Sequence, residues 1–152
     1  EPYTKKISPR RKMLLDQHFH PIAVHFPQVF IAVIPVMLLL SFVVADPWRT
    51  EFLAAAKLSI LALPFSVLIG FLTGLFDGKL RFKTVKAPLL INKIVAGIAL
   101  QILTTIIFIL YLVSGFTTAN MITIIVLSAL STACAIYLGR AGSPMFDSFL
   151  PG

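Results

Sequence analysis

PIAVHFPQVFIAVIPVMLLLSFVV, from Pro21 to Val44, contains one ionisable side chain, His25, in 24 residues. A helix needs about 20 apolar residues to cross roughly 30 Å of hydrocarbon, and this stretch meets that length. Three more follow: Phe52–Phe76, Pro88–Val113 and Met121–Leu138. Apolar residues occur all round each one, as lipid-facing helices permit. No alternation with period two appears, so a membrane barrel is excluded. The connections are short, so neighbouring helices should run antiparallel. The expected fold is all-α, an integral membrane four-helix up-down bundle over residues 21–142. A basic arm (1–20) precedes it and a short tail (143–152) follows.

Composition agrees. Of the 152 residues, 58% are hydrophobic and 12% charged, half the charge of an average soluble domain. That excludes a soluble globular domain and intrinsic disorder. One cysteine, Cys134, excludes a disulfide scaffold.

Net charge is +7, and its distribution sets an orientation. Lys5, Lys6, Arg10, Arg11 and Lys12 lie in the arm. Lys79, Arg81, Lys83 and Lys86 lie in the second connection, Lys93 just inside the third span, and Arg140 after the fourth. All fall at one end of a four-span bundle, whereas Arg49 and Lys57 alone mark the other. The positive-inside rule puts both termini in the cytoplasm. The basic runs read as topogenic and lipid-binding. A nucleic-acid partner is not expected, because a basic patch for it needs a folded soluble platform. Residues 1–13, EPYTKKISPRRKM, are polar where a secretory signal would be apolar, and with Pro2 and Pro9 read as an extended linker. Trp48 and Tyr111 fall near the expected outer boundary, where amphipathic rings are favoured.

All three histidines, His18, His20 and His25, fall within eight positions, among Pro21 and Pro27. Pro21 suits a helix's first turn. Pro27 frees the carbonyl of Ala23 if the helix already runs through it; otherwise the regular helix starts at Pro27. His18 and His20 suit a helix entry at the membrane surface, and as H-x-H they offer a weak metal grip. His25 is either a buried imidazole bonded to a polar neighbour or a proline-freed carbonyl, or a functional group, since ionisable residues within a bilayer are costly. His18 and His25, about 10 Å apart along a helix, cannot be trans axial ligands of one haem.

The second span carries small residues at helical spacing: Ser59, Ser66, Gly70, Gly74 and Asp77 among them. The fourth does so at Ser128, Ser131, Ala135 and Gly139. Such faces allow close helix approach. The second and fourth spans are therefore expected to meet through Ser66, Gly70, Gly74 and Gly139. The third span has a polar sector of Lys93, Gly97, Gln101, Thr104 and Tyr111. Topology gathers His25, Asp77, Asn92, Lys93 and Arg140 at the cytoplasmic end, and facing helices of a bundle are where cofactor sites are built. Nothing comparable marks the centre, where Gln101 is the main strongly polar group. A coupled transporter or channel would need ionisable groups spaced through the membrane.

The segment His20-Pro21-Ile22-Ala23-Val24-His25-Phe26-Pro27 resembles the opening of a family of small bacterial predicted membrane proteins known only as a domain of unknown function. The resemblance extends to Gly74-Leu75-Phe76-Asp77 at the end of the second helix and Gly139-Arg140-Ala141-Gly142 at the exit of the fourth. Members often look like b-type cytochromes and sometimes travel with rubredoxin-like or other redox domains. The resemblance implies a haem-ligand role for His20 and His25. The family commonly shows a further histidine at the start of the third helix, where this chain reads Leu89-Leu90-Ile91-Asn92-Lys93.

The expected function is a membrane electron-transfer or cofactor-holding subunit of the bacterial cytoplasmic membrane. It would bind b-type haem, or contact a quinone, near the cytoplasmic face. His18, His20, His25, Lys93 and Arg140 are the candidate cofactor contacts, with His25 and His20 the candidate metal ligands. Lys93 and Arg140 would neutralise haem propionates. A second axial ligand would come from His18 or His20 folding back, from a non-histidine group or from another subunit. A homodimer or larger complex is therefore an expected partner, with a soluble redox protein on the cytoplasmic side. No hydrolytic or transferase site is visible. The alternative is a cofactor-free anchoring subunit of a larger membrane complex.

Overall fold

A computed structural model describes residues 19–82 and 88–147. It contains four helices: α1 (Phe19–Val43), α2 (Trp48–Phe82), α3 (Pro88–Ser114) and α4 (Thr118–Asp147). Each is long and apolar enough to cross a membrane. Between 22% and 33% of each span's most apolar window is buried inside the bundle. The remaining apolar surface, including Leu58, Phe65, Val95 and Leu112, faces outward, where only lipid suits it.

The chain runs up and down. α1 packs on α2, α2 on α3, α3 on α4, and α4 closes the ring against α1. The second and fourth helices are therefore diagonal and share no extended seam. This corrects the expectation that they meet through Ser66, Gly70, Gly74 and Gly139. Short connections make sequence neighbours into packing neighbours, which leaves α2 opposite α4. Gly70 and Gly74 face α1 instead, and a Cβ at Gly139 would meet nothing within 4 Å.

α1 is continuous through both Pro27 and Pro35, so the version in which the helix begins at Pro27 does not hold. The freed carbonyl of Ala23 lies 3.9 Å from where a Gly70 Cβ would stand, at the α1–α2 approach. Protein covers that carbonyl on one side, as irregular pairing at membrane depth requires. Two helices outrun their apolar stretches. α2 extends from Phe76 to Phe82, and α4 continues past Leu138 to Asp147, into residues read as a tail. A helix satisfies its own backbone whether lipid or headgroups surround it, so apolarity ends before helicity does.

The turn between α3 and α4 is tightly specified. Gly115 has φ +56°, the left-handed C′ conformation that closes a helix, and its N–H donates to the Tyr111 carbonyl at 2.9 Å. Thr117 caps α4, its hydroxyl accepting the Asn120 N–H at 3.3 Å. The Asn120 amide donates to the carbonyls of Leu110 (3.2 Å) and Gly115 (2.5 Å), tying α4 to the last turns of α3 and to the connection. Tyr111 packs on Phe116 beside it.

The core fills only part of the bundle. Ile34, Leu38, Ile60, Leu63, Ile107 and Ile124 are fully buried. They occupy the middle and the half near the α1–α2 and α3–α4 turns. Towards the other end, where Phe19, Phe82, Pro88 and Asp147 bound the helices, the space between the four helices is left open.

Candidate functional site

That opening is a cavity of about 430 Å³, lined by all four helices. Ligand pockets fall in the range of roughly 300–1,000 Å³ and are mainly apolar with a few placed polar groups. This one follows the pattern. Its inner wall comes from Ile31, Val67, Phe71, Ile94 and Leu100. Gly70, Gly74, Gly97 and Gly139 supply wall without side chains. His20, His25, Gln28, Asp77 and Lys93 supply its polar groups.

His20 is fixed from α2. Its ring lies against Gly74, where a Cβ would stand 2.8 Å from Cε1. The Thr73 hydroxyl lies 3.3 Å from His20 Nδ1. That hydroxyl also lies within donating distance of the carbonyls of Ile69 (2.9 Å) and Gly70 (3.0 Å).

His25 is held within α1. Its Nδ1 lies 2.5 Å from the Pro21 carbonyl, one turn back. A carbonyl only accepts, so Nδ1 carries the proton, and in the neutral ring Nε2 keeps its lone pair. A ring N–H given to a backbone carbonyl is the arrangement that orients metal-binding histidines. The partner is neither of the two expected kinds. It is an ordinary helix carbonyl rather than the Ala23 carbonyl freed by Pro27, and the residue is exposed rather than buried.

The other expected site residues divide. Lys93 and Asp77 are half-buried and line the cavity with the two histidines. Arg140 is exposed, next to the cavity-lining Gly139, and is not among the lining residues; Asn92 is likewise exposed and outside them. His18 lies outside the described residues. Among the described residues, no three His, Cys, Asp or Glu side chains gather to hold a metal ion. His20 and His25, five positions apart, are separated by about 7.5 Å along the axis and about 140° around it. They stand on one helix and cannot oppose each other across one ring.

Gln28 is the residue that sequence reading passed over. It lies within the α1 span, is exposed, and lines the cavity. Its amide makes no hydrogen bond to any described residue. The available signal was an amide directly after Pro27 inside an otherwise apolar run. Deeper in the bundle, Gln101 donates to the Pro64 carbonyl and to Thr105, both at 3.3 Å, and its Oε1 is buried without a partner.

Comparison with protein-family models, with characterised proteins and with solved structures finds no match for this chain. Sequence and structure together establish a four-helix protein with four candidate membrane spans, without a family assignment.

Proposed function

We propose that this protein is a membrane electron-transfer or cofactor-holding subunit, and that the cavity at its basic end holds b-type haem on His25. One observation carries the reading: His25 lines a largely apolar cavity with Nδ1 spent on the Pro21 carbonyl and Nε2 left as the donor atom. The donor set fits a haem with a single histidine ligand from this chain. It does not fit a bis-histidine haem built from His20 and His25. His25 would hold the iron, and Lys93, which lines the cavity from α3, would neutralise a propionate. Bound there, the haem would supply one-electron transfer. The apolar inner wall would keep water from the macrocycle, and His20, held against Gly74, would border its polar edge.

A second copy or a larger membrane complex, as a source of a further ligand, belongs to this reading. So does a soluble redox partner at the basic end. The basic asymmetry supports a cytoplasmic location for that end, and the His20–Pro27 motif supports a place in the small bacterial membrane-protein family described above. The visible spectrum of protein gently purified from its own membrane tests the proposal. A Soret band with stoichiometric haem is the expected result. Its absence, with no cofactor beside His25 in an experimental density map, would leave the anchoring subunit as the better account.

A further inference from the structure

The cavity has a neighbour. A second opening, of about 280 Å³, lies between α1 and α4. It shares Gln28, Ile31, Ala135 and Gly139 with the main cavity and adds Ala32, Thr132 and Ile136. The two spaces therefore adjoin across these residues, between the first and last helices. Small residues make the gap: at Gly139 nothing stands within 4 Å of where a Cβ would be. These positions belong to the candidate spans His20–Val43 and Thr118–Ala141, so the gap faces lipid.

Gln28 supplies the second observation. It lies on both spaces, exposed, and its amide has no hydrogen-bond partner among the described residues. An amide left unpaired in hydrocarbon costs several kcal/mol by transfer scales. Lipid chains cannot repay that cost, but a polar atom of a ligand seated in the opening can. Thr132, on the α4 side, meets its own need by donating to the Ser128 carbonyl at 2.9 Å.

We infer that the gap between α1 and α4 is a lateral portal, and that the ligand enters from within the bilayer. The inference rests on the cavity being the ligand site. It narrows the ligand class to a bilayer-dissolved amphiphile with a conjugated ring head. The head's polar groups meet His20, His25 and Lys93, and its apolar remainder lies along the portal. A haem and an isoprenoid quinone share this chemistry. They place different demands on His25. An iron takes the Nε2 lone pair directly. A quinol hydroxyl donates to the same lone pair, whereas a quinone carbonyl, being an acceptor, finds no proton there.

The test uses ligand-depleted full-length protein in phosphatidylcholine vesicles. It is mixed with vesicles carrying haemin in one arm and reduced decylubiquinone in the other. Uptake is followed by the haem spectrum or by quinone extracted from the re-isolated protein. Wild type is expected to load one probe, and the arm that loads names the ligand. Gly139→Phe, which puts a ring into the portal, should slow loading at least tenfold. Ile122→Phe, exposed at the opposite end of α4, should leave it unchanged. Circular dichroism and gel filtration verify folding. Should Gly139→Phe not fold, Gln28→Leu decides, because it keeps an apolar shape and removes the amide; retention should weaken about tenfold. Folded Gly139→Phe loading at the wild-type rate, or Gln28→Leu within twofold of wild type, overturns the portal. If His25→Ala abolishes loading in that same case, the site reading stands without the portal. Folded wild type that loads neither probe overturns both.

Discussion

His20 packs its ring against Gly74 where α1 meets α2 at the cavity: a Cβ on Gly74 would stand 2.8 Å from His20 Cε1 and 3.2 Å from Nδ1. The glycine therefore sets where the imidazole sits. The Thr73 hydroxyl, one residue earlier, lies 3.3 Å from its Nδ1. Gly74→Ala should displace the ring and lower stability by about 1–3 kcal/mol, the usual cost of overpacking. His20→Ala in the same chain should recover most of that loss, because it removes the clashing atoms. Thermal unfolding of the two single variants and the double variant in one detergent measures this coupling. Additive effects would show that the contact carries no energy.

Gly139 should behave in the opposite way. It is helical, and a methyl group there meets nothing within 4 Å. Gly139→Ala should be neutral or stabilise by up to about 1 kcal/mol through the helix preference for alanine. A loss of stability comparable to that of Gly74→Ala would mean that α4 packs more tightly at this end than the structure shows.

Asn120 should be worth more than its position near a loop suggests. Its amide donates to one carbonyl of the last turns of α3 and to that of Gly115 in the connection, while its backbone N–H is capped by Thr117. Asn120→Ala leaves those carbonyls without the amide in a buried setting and should cost about 1–3 kcal/mol. Gly115→Ala should add strain, because φ +56° disfavours any residue with a Cβ. The expected sign of both is a lower midpoint in thermal unfolding, with cofactor content per folded protein unchanged, since the turn lies at the far end from the cavity.

The four spans and their antiparallel order were legible because long apolar runs separated by short connections admit few other arrangements. The gathering of His25, Asp77 and Lys93 followed from that order alone, and the structure places all three on one cavity. What each small residue faces was not legible. Gly70, Gly74 and Gly139 look alike in sequence, yet two meet α1 and the third meets open space. Their roles depend on which helices end up diagonal, and spacing along one helix does not encode that. The partner of His25 was missed for a local reason: a side chain can reach back to an intact helix carbonyl, so a freed one is not required. Gln28 was overlooked because one amide barely changes the apolarity of its window.

Orientation follows from charge rather than from packing. In the sequence, 11 of the 13 basic residues fall in the segments that a four-span order assigns to the histidine side. Reporter fusions after Thr118 and after Gly152 should report opposite sides of the membrane, with the Gly152 fusion cytoplasmic. Both fusions on one side would contradict the four-span topology, and a reversed pair would move the candidate site to the other face.

The ligand role of His25 is tested most directly by the visible spectrum of His25→Ala beside wild type and His20→Ala, each purified from the native host's membrane. His25 has its Nδ1 proton committed to Pro21, so Nε2 is the atom that would meet the iron. Wild type should show a Soret band. His25→Ala should lose it while keeping the helical content and elution volume of the folded bundle. His20→Ala should retain part of the band with a shifted maximum, since that ring shapes the cavity without opposing His25. A wild-type Soret band that persists at full intensity in folded His25→Ala would contradict the account.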